Sequence, residues 1–265
     1  MPASLAHHQF GQDVLCRLDA DIRSFALAHK REFDIGLQGP DIFFYYRPYR
    51  KNKISGYGIE RHSQPASRMF APIWETLREN AALSYLMGLV CHYTLDRDCH
   101  PYVNGHSRDA LEHLRMESAY DRHVMSCRGL TTARYLLVPD SGLDYGAMAS
   151  LWPGMTAGTV RACVRSQRRY TWLLDHGKFL SFCETAARRR GAFTPLTLPS
   201  CVSGVQQEHA RRLESLYGQA LDECPELIRR VIGAMGARWA DCEGFDLNYE
   251  GEAADGPGGE APAPL

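Results

Sequence analysis

The amino-acid sequence predicts an all-α protein. Apolar residues recur at helical spacing along most of the chain, and no segment shows the apolar–polar alternation that is typical of a half-buried strand. No internal repeat divides the 265 residues, and a chain of this length is compatible with one large helical domain. We therefore expect a single multi-helix domain over residues 1–249.

The first predicted helix covers about residues 5–30, where Phe10, Val14, Leu18 and Ile22 belong to an apolar stripe. Glycines and prolines then punctuate the segment DIGLQGPDIFFYYRPYRKNKISGYGIERH, and they break any long helix there. This irregular segment is the part of the N-terminal half in which loops are expected to line a site.

Helical patterns resume after this segment. They predict helices over about residues 66–78, 80–96, 108–126, 158–174, 176–190, 204–221 and 225–238. Pro101 is expected to close the second of these, because proline cannot donate the hydrogen bond that continues a helix. Residues 191–204 predict a loop, and residues 250–265, rich in Gly, Pro and Ala, predict a flexible C-terminal tail.

The charge balance argues against a partner made of duplex nucleic acid. Lysine and arginine total 30 against 31 aspartates and glutamates, so the formal net charge is -1 and the usual basic excess is missing. One basic cluster, Arg47, Arg50, Lys51 and Lys53, lies in the irregular segment. It is either a solvated loop or a group that helps to hold an anion.

Cysteine usage and the first residues predict a cytoplasmic protein. None of the nine cysteines forms a C-x-x-C pair, and an odd number cannot all be joined within one chain, so we expect a reducing compartment. MPASLAHHQFGQDVL shows no secretory signal. No stretch approaches the roughly 18–20 apolar residues of a membrane span. The oligomeric state is left open.

Histidines are concentrated in one part of the chain, with five of the eleven between residues 92 and 123. His92 with Asp96, and His113 with Glu117, are four residues apart, so each pair projects from one face of a predicted helix. His100 lies four residues beyond Asp96. Such pairs either stabilise an exposed helix or hold a divalent ion; two pairs and a further histidine favour the ion. Imidazole and carboxylate without thiolate point to zinc.

The order of these residues resembles the bacterial zinc-dependent phospholipase C family, whose scaffold is shared with single-strand-specific zinc nucleases. The matching features span residues 7 to 117 and are His7 near the N-terminus, Gly39-Pro40-Asp41 in a loop, the isolated His62, His92-x-x-x-Asp96, His100, and His113-x-x-x-Glu117. The resemblance implies an all-helical domain of the phospholipase C type with two or three zinc ions.

The same resemblance implies the role of each residue. Asp41 would be both a zinc ligand and the candidate general base, and His62, His92 and Asp96 would complete the first zinc site. A second zinc would be held by His100, His113 and Glu117. A third would be reached by Asp96 and by His7, which is preferred to His8 because AHHQFG resembles the family's T-H-x-x-x-G opening.

The implied function is zinc-dependent hydrolysis of a phosphodiester, with a phospholipid head group as the family-weighted substrate. One alternative is a nuclease or nucleotidase on the same scaffold, in which Tyr45 or Tyr46 would stack on a base. Another is a non-catalytic helical module in which zinc is structural or stored. A last alternative is that the histidines bind no metal. The remaining histidines, His29, His106, His123, His176 and His209, are interpreted as surface or capping residues.

Overall fold

The computed structural model describes residues 4–70, 77, 80–139, 141–186, 196–233 and 243–253. Its α-helices, numbered in chain order, are α1 (Ser4–Arg17), α2 (Ala20–Ala28), α3 (Lys30–Gly36), α4 (Lys53–Ser63), α5 (Asn80–His106), α6 (Ala110–Arg128), α7 (Tyr145–Ser150), α8 (Ala157–Asp175), α9 (Gly177–Ala186) and α10 (Val205–Gly233). Residues 66–70 are also helical. Short 3-10 helices cover Gly39–Tyr45 and Arg134–Leu137.

The described part of the chain is all-α, as predicted. Its β-pairing is limited to one isolated bridge between Leu247 and Ala253. Among the helices of these same ranges, none combines the length and the apolar character needed to cross a bilayer.

Helix α5 lies at the centre of the fold. Most of its side chains are buried, and α3 and α10 pack along it. Two glycines let α3 approach α5 at backbone distance: a Cβ at Gly36 would lie 2.3 Å from the carbonyl oxygen of Tyr85, and one at Gly88 would lie 2.3 Å from that of Phe33. This close contact holds the residues that follow α3 against the middle of α5.

The predicted helix over residues 5–30 is wrong as a single element. The chain breaks after α1 and again at His29, whose backbone leaves the helical region. The apolar pattern continues across both breaks because α1, α2 and α3 all pack against α5. One straight helix could not make these three contacts.

Two prolines lie inside helices, and one of them, Pro101, was expected to end its helix. Helix α5 continues through Pro101 to His106, and α10 runs through Pro225 as one helix instead of the two predicted. An internal proline costs about 3 kcal/mol, which burial of the surrounding turns can offset. In α5 the backbone of Gly251 covers the carbonyl of Arg97, the acceptor that Pro101 leaves without its usual donor.

Helix α4 was not predicted, because Gly56 and Gly58 lie within it. Its start is fixed by Asn52, whose side chain accepts hydrogen bonds from the backbone of Ile54 and Ser55. The Ser55 hydroxyl accepts in return from the Asn52 backbone, which completes a capping box. This local stabilisation outweighs the two glycines.

Residues 243–253 fold back onto the helices. The backbone of Ala66 donates to the carbonyl of Leu247, and that of Tyr249 donates to the carbonyl of His62. The predicted flexible tail begins at residue 250, and residues 250–253 continue this segment. Residues 254–265 of the predicted tail lie outside the described residues. So do residues 71–76 and 187–195, which belong to predicted helices and to the predicted loop.

Candidate metal centre

Four helices and one 3-10 helix bring imidazoles and carboxylates together. Helix α5 presents His92, Asp96 and His100 from one face, because they are four residues apart. The other contributors come from α1, the 3-10 helix, α4 and α6, and they are His7, Asp41, His62, His113 and Glu117.

Three groups of side chains have ligand atoms within 4.8 Å of one another: Asp41, His62 and His92; His7, His92 and Asp96; and His100, His113 and Glu117. All eight residues singled out from the sequence therefore fall into these groups. The family resemblance implied one first zinc site of Asp41, His62, His92 and Asp96. In the structure these four residues fall into two groups, and His92 belongs to both.

Asp96 lies at the middle of the centre. Its Oδ1 is 3.0 Å from Nε2 of His7 and 3.6 Å from Nε2 of His100, and its Oδ2 is 2.9 Å from Nε2 of His92. The side chain is 7% exposed. One buried carboxylate thus connects imidazoles from α1 and from two turns of α5.

The two other carboxylates face imidazoles in the same way. Asp41 Oδ1 lies 2.9 Å from Nε2 of His62. Glu117 Oε1 lies 3.3 Å from Nε2 of His113 and 3.5 Å from Nε2 of His100. The side chain of His113 is 23% exposed, so the centre opens to solvent near this residue.

In four of these imidazoles Nδ1, the ring nitrogen that points away from the carboxylates named above, contacts an oxygen. The Nδ1···O distances are 2.8 Å from His62 to the Gly58 carbonyl, 3.1 Å from His92 to that of Leu37, 2.9 Å from His100 to that of Tyr249, and 3.0 Å from His113 to Asn104 Oδ1. A carbonyl oxygen only accepts, so Nδ1 must carry the proton. The Nε2 lone pair of a neutral ring then faces the carboxylates.

This arrangement fits divalent metal. The lone pair of a neutral ring repels a carboxylate oxygen unless a proton or a metal cation lies between them, and histidine ligands normally donate their other N–H to an oxygen, as these rings do. Two ligand atoms of a tetrahedral zinc ion lie about 3.3 Å apart, given bond lengths of about 2.0–2.1 Å. In addition, the buried Nδ1 of His7 has no hydrogen-bond partner among the described residues, and the buried Nε2 of His92, although 2.9 Å from Asp96 Oδ2, makes no hydrogen bond of normal geometry there.

The carboxylates give the centre a strong attraction for positive charge. Burial alone would lower the pKa of His100, but Asp96, Glu117 and Glu250 outweigh it and raise that pKa to about 10. Burial would raise the pKa of Asp96, yet His100, His92 and His7 hold it well below its usual value. The carboxylates therefore stay ionised at neutral pH, which metal binding requires.

The Gly39 backbone allows the loop that carries Asp41 to reach His92. Its φ is +56°, and a Cβ built there would lie 2.1 Å from Cδ2 of His92. We expect Gly39→Ala to displace this ring, to lower the zinc content, and to destabilise the fold by at least about 1–3 kcal/mol for the left-handed backbone alone.

Metal analysis and urea unfolding measure these two effects. Gly56→Ala is the matched control, since Gly56 lies in α4 with no atom within 4 Å of its added Cβ, and alanine favours a helix. Gly39→Ala protein with full zinc content and unchanged stability would contradict the expectation.

Asp121 fixes the start of the helix that carries His7. Its buried carboxylate accepts hydrogen bonds from the backbone N–H of Ala6 at 2.8 Å and of Leu5 at 3.4 Å. These are among the first N–H groups of α1, which have no acceptor within the helix. Asp121 is therefore a positioning residue for His7.

A pH-dependent stability follows from this burial. Desolvation raises the pKa of Asp121 from 3.8 to about 7, against the opposing effect of Arg134. The native state then binds this proton more tightly than the unfolded chain does, so the residue's contribution to stability falls as pH rises from about 4 to about 7. Asparagine keeps an acceptor and does not ionise. We expect urea unfolding of Asp121→Asn to lack this pH-dependent loss; parallel pH profiles for the two proteins would argue against it.

Several other side chains lie outside the centre. His8 is turned toward Asp34, with 3.9 Å between Nδ1 and Oδ1. Three carboxylates near the ligand residues in sequence also have other contacts: Asp98 pairs with Arg97, Asp109 caps α6, and Glu112 pairs with Arg108. His29, His106, His123, His176 and His209 belong to none of the three groups.

Sequence inspection missed the oxygens that orient the imidazoles. Three of them are backbone carbonyls, which leave no trace in side-chain identity. The carbonyl of Tyr249 comes from 149 residues beyond His100, and Glu250 Oε2 lies 3.5 Å from the same imidazole nitrogen. Only Asn104, nine residues before His113, was within reach of a local pattern.

A family model described as zinc dependent phospholipase C matches residues 6–155. The match covers more than half of the chain and includes all eight residues of the three groups. No curated protein and no solved structure gives a significant match.

Proposed function

The chain belongs to the zinc-dependent phospholipase C family, and from this premise we propose that it hydrolyses phosphodiester bonds with two or three zinc ions. One observation carries the proposal. Oxygen atoms orient four imidazoles through contacts with Nδ1, and the Nε2 atoms of these rings converge on three buried carboxylates. With neutral rings the Nε2 lone pairs repel the carboxylates, and a metal cation between them removes this repulsion.

The proposed chemistry divides between metal and protein. Bound zinc supplies Lewis acidity, which activates water at neutral pH and offsets charge on the phosphoryl oxygens. The chain holds the ligands in place through outer hydrogen bonds such as that from His92 to Leu37. Asp41, at the edge of the centre beside the partly exposed His62, orients the attacking water and accepts its proton.

A phospholipid is the proposed substrate class. The alternative nuclease function needs an aromatic ring on which a base can stack, and Tyr45 was one of two candidates for that ring. Tyr45 is only 9% exposed, so its face is not available to a base. Tyr46 is partly exposed, and the Arg47 guanidinium lies 5.3 Å from its ring centre.

Elemental analysis and parallel assays test the proposal. We expect the purified protein to contain two or three zinc ions per chain and to cleave a choline phosphodiester in preference to single-stranded DNA. Chelation should remove both zinc and activity. Preferred cleavage of DNA would favour the nuclease, and zinc whose removal unfolds the chain without any phosphodiester being cleaved would favour a structural module.

A cytoplasmic location is part of the proposal and rests on the cysteine usage. Seven described cysteines have free thiols, four of them buried. Mass spectrometry of protein alkylated at lysis tests it; protein recovered with disulfides from rapidly quenched cells would contradict it.

A further inference from the structure

A second concave region lies beside α8 and is lined by arginines and aromatic rings. We call it the arginine groove. It encloses about 1040 Å³, and its walls include Arg47, Arg165, Arg169, Tyr49, Tyr170 and Trp172. None of these residues belongs to the three candidate metal groups. The groove is therefore a separate feature that the proposed chemistry does not use.

The positive charge of this face is not neutralised by any carboxylate in the described part of the chain. Arg161, Arg165 and Arg169 are four residues apart on α8, so they form one exposed row. Arg47 faces this row from the loop that follows the 3-10 helix of Asp41. Within the described residues none of these four guanidinium groups makes an ion pair. Arg50 and Lys51, also exposed, add charge to the same loop.

Apolar side chains are exposed on the same face. Tyr49 is 75% exposed and Trp172 is 40% exposed, and both line the groove. Aromatic rings beside cationic groups are typical of surfaces that lie in the interface of a lipid bilayer.

An apolar cavity adjoins the groove and extends toward the metal centre. It encloses about 270 Å³ and shares Tyr49 and Tyr170 with the groove. Phe44 also lines it, and the Phe44 ring stacks on His62, a member of the metal centre, at 5.2 Å between centroids. Its other lining residues include four leucines, Leu173, Leu174, Leu180 and Leu196, and the polar Ser4 and Thr171.

One buried cation also lines this cavity. Arg134 is 2% exposed; its Nε donates to Asp175, and its Nη1 donates to the carbonyl of Leu196. Its Nη2 is buried without a hydrogen-bond partner among the described residues. An unused donor of a buried guanidinium is costly unless a polar group of a ligand meets it.

We propose that the arginine groove docks the protein on an anionic phospholipid surface, with a lipid phosphate among Arg47, Arg165 and Arg169. The exposed rings enter the interface, and the leucine-lined cavity receives the apolar part of a lipid on its way to the metal centre. This inference rests on the proposed phosphodiesterase function. Single-stranded nucleic acid would satisfy the arginines and rings, but it has no group that suits a cavity walled by four leucines.

Sedimentation with vesicles tests the docking without requiring turnover. We expect the full-length protein to bind vesicles that contain phosphatidylglycerol far better than vesicles of phosphatidylcholine alone, and added salt should weaken this binding. Arg165→Gln/Arg169→Gln should lower binding to the anionic vesicles about thirtyfold, since each cation near such a surface contributes about a factor of five. Tyr49→Ala, added to this double variant, should weaken vesicle binding further.

The matched control removes the same charge elsewhere. Arg211→Gln/Arg212→Gln changes two exposed arginines of α10 that do not line the groove, and it should leave vesicle binding near the wild-type value. Equal loss from both double variants, or indifference to phosphatidylglycerol, would overturn the proposal. Binding of a single-stranded oligonucleotide that is lost only in Arg165→Gln/Arg169→Gln, without vesicle binding, would assign the groove to nucleic acid. Vesicle binding is measured directly and does not depend on turnover. If the protein proves to have no hydrolytic activity, the proposed function is wrong, but the binding experiment still tests the docking.

Discussion

His92→Ala is expected to remove zinc and phosphodiesterase activity together. The imidazole belongs to two of the three candidate metal groups, and its Nε2 lies 2.9 Å from Asp96 Oδ2. Removing a group that only hydrogen-bonds to a metal ligand already lowers metal affinity or activity about 10–100-fold. Removing the ligand itself should therefore lower them more than about hundredfold. Zinc per chain and turnover of a choline phosphodiester are the two measurements.

A second variant separates metal loss from misfolding. His113 belongs to only one group and is partly exposed, so His113→Ala should remove fewer zinc ions per chain than His92→Ala and disturb the fold less. His176→Ala is the control, because His176 is exposed and belongs to no group. Equal loss of zinc and activity from all three variants would contradict the assignment of the centre.

The helical part of the centre could be predicted because its spacing is local. His92, Asp96 and His100 share a face of any α-helix, and the same holds for His113 with Glu117. That the two helices face each other is a tertiary fact, which periodicity does not contain. The likeness to a known family supplied it, together with the positions of His7, Asp41 and His62.

The predicted helix ends that proved wrong lie where tertiary packing outweighs the local preference of the sequence. Pro101 would end an isolated helix and is itself exposed, but the neighbouring Cys99, His100 and Val103 are buried, so this turn of α5 packs against other elements. The same packing reaches the first residues of the predicted tail. Gly251, at φ +75°, lies against the carbonyl of Arg97 and the ring of Pro101, a contact between positions at least 150 residues apart.

Asp41→Asn is expected to lower turnover far more than zinc content. Asparagine keeps the size of the side chain and one oxygen toward Nε2 of His62, but it cannot accept a proton from water. Loss of a positioned general base typically costs 10²–10⁴-fold in rate, so kcat should fall by about that factor. Zinc content should fall much less, because His62 and His92 of the same group remain.

The matched control for Asp41→Asn is Asp109→Asn. Asp109 is an exposed N-cap of α6, and asparagine caps a helix as well as aspartate does, so neither zinc nor turnover should change. If zinc and turnover instead fall in proportion in Asp41→Asn, the carboxylate acts as a ligand. The base must then be sought among the groups beside the partly exposed His113, the other side on which the centre meets solvent.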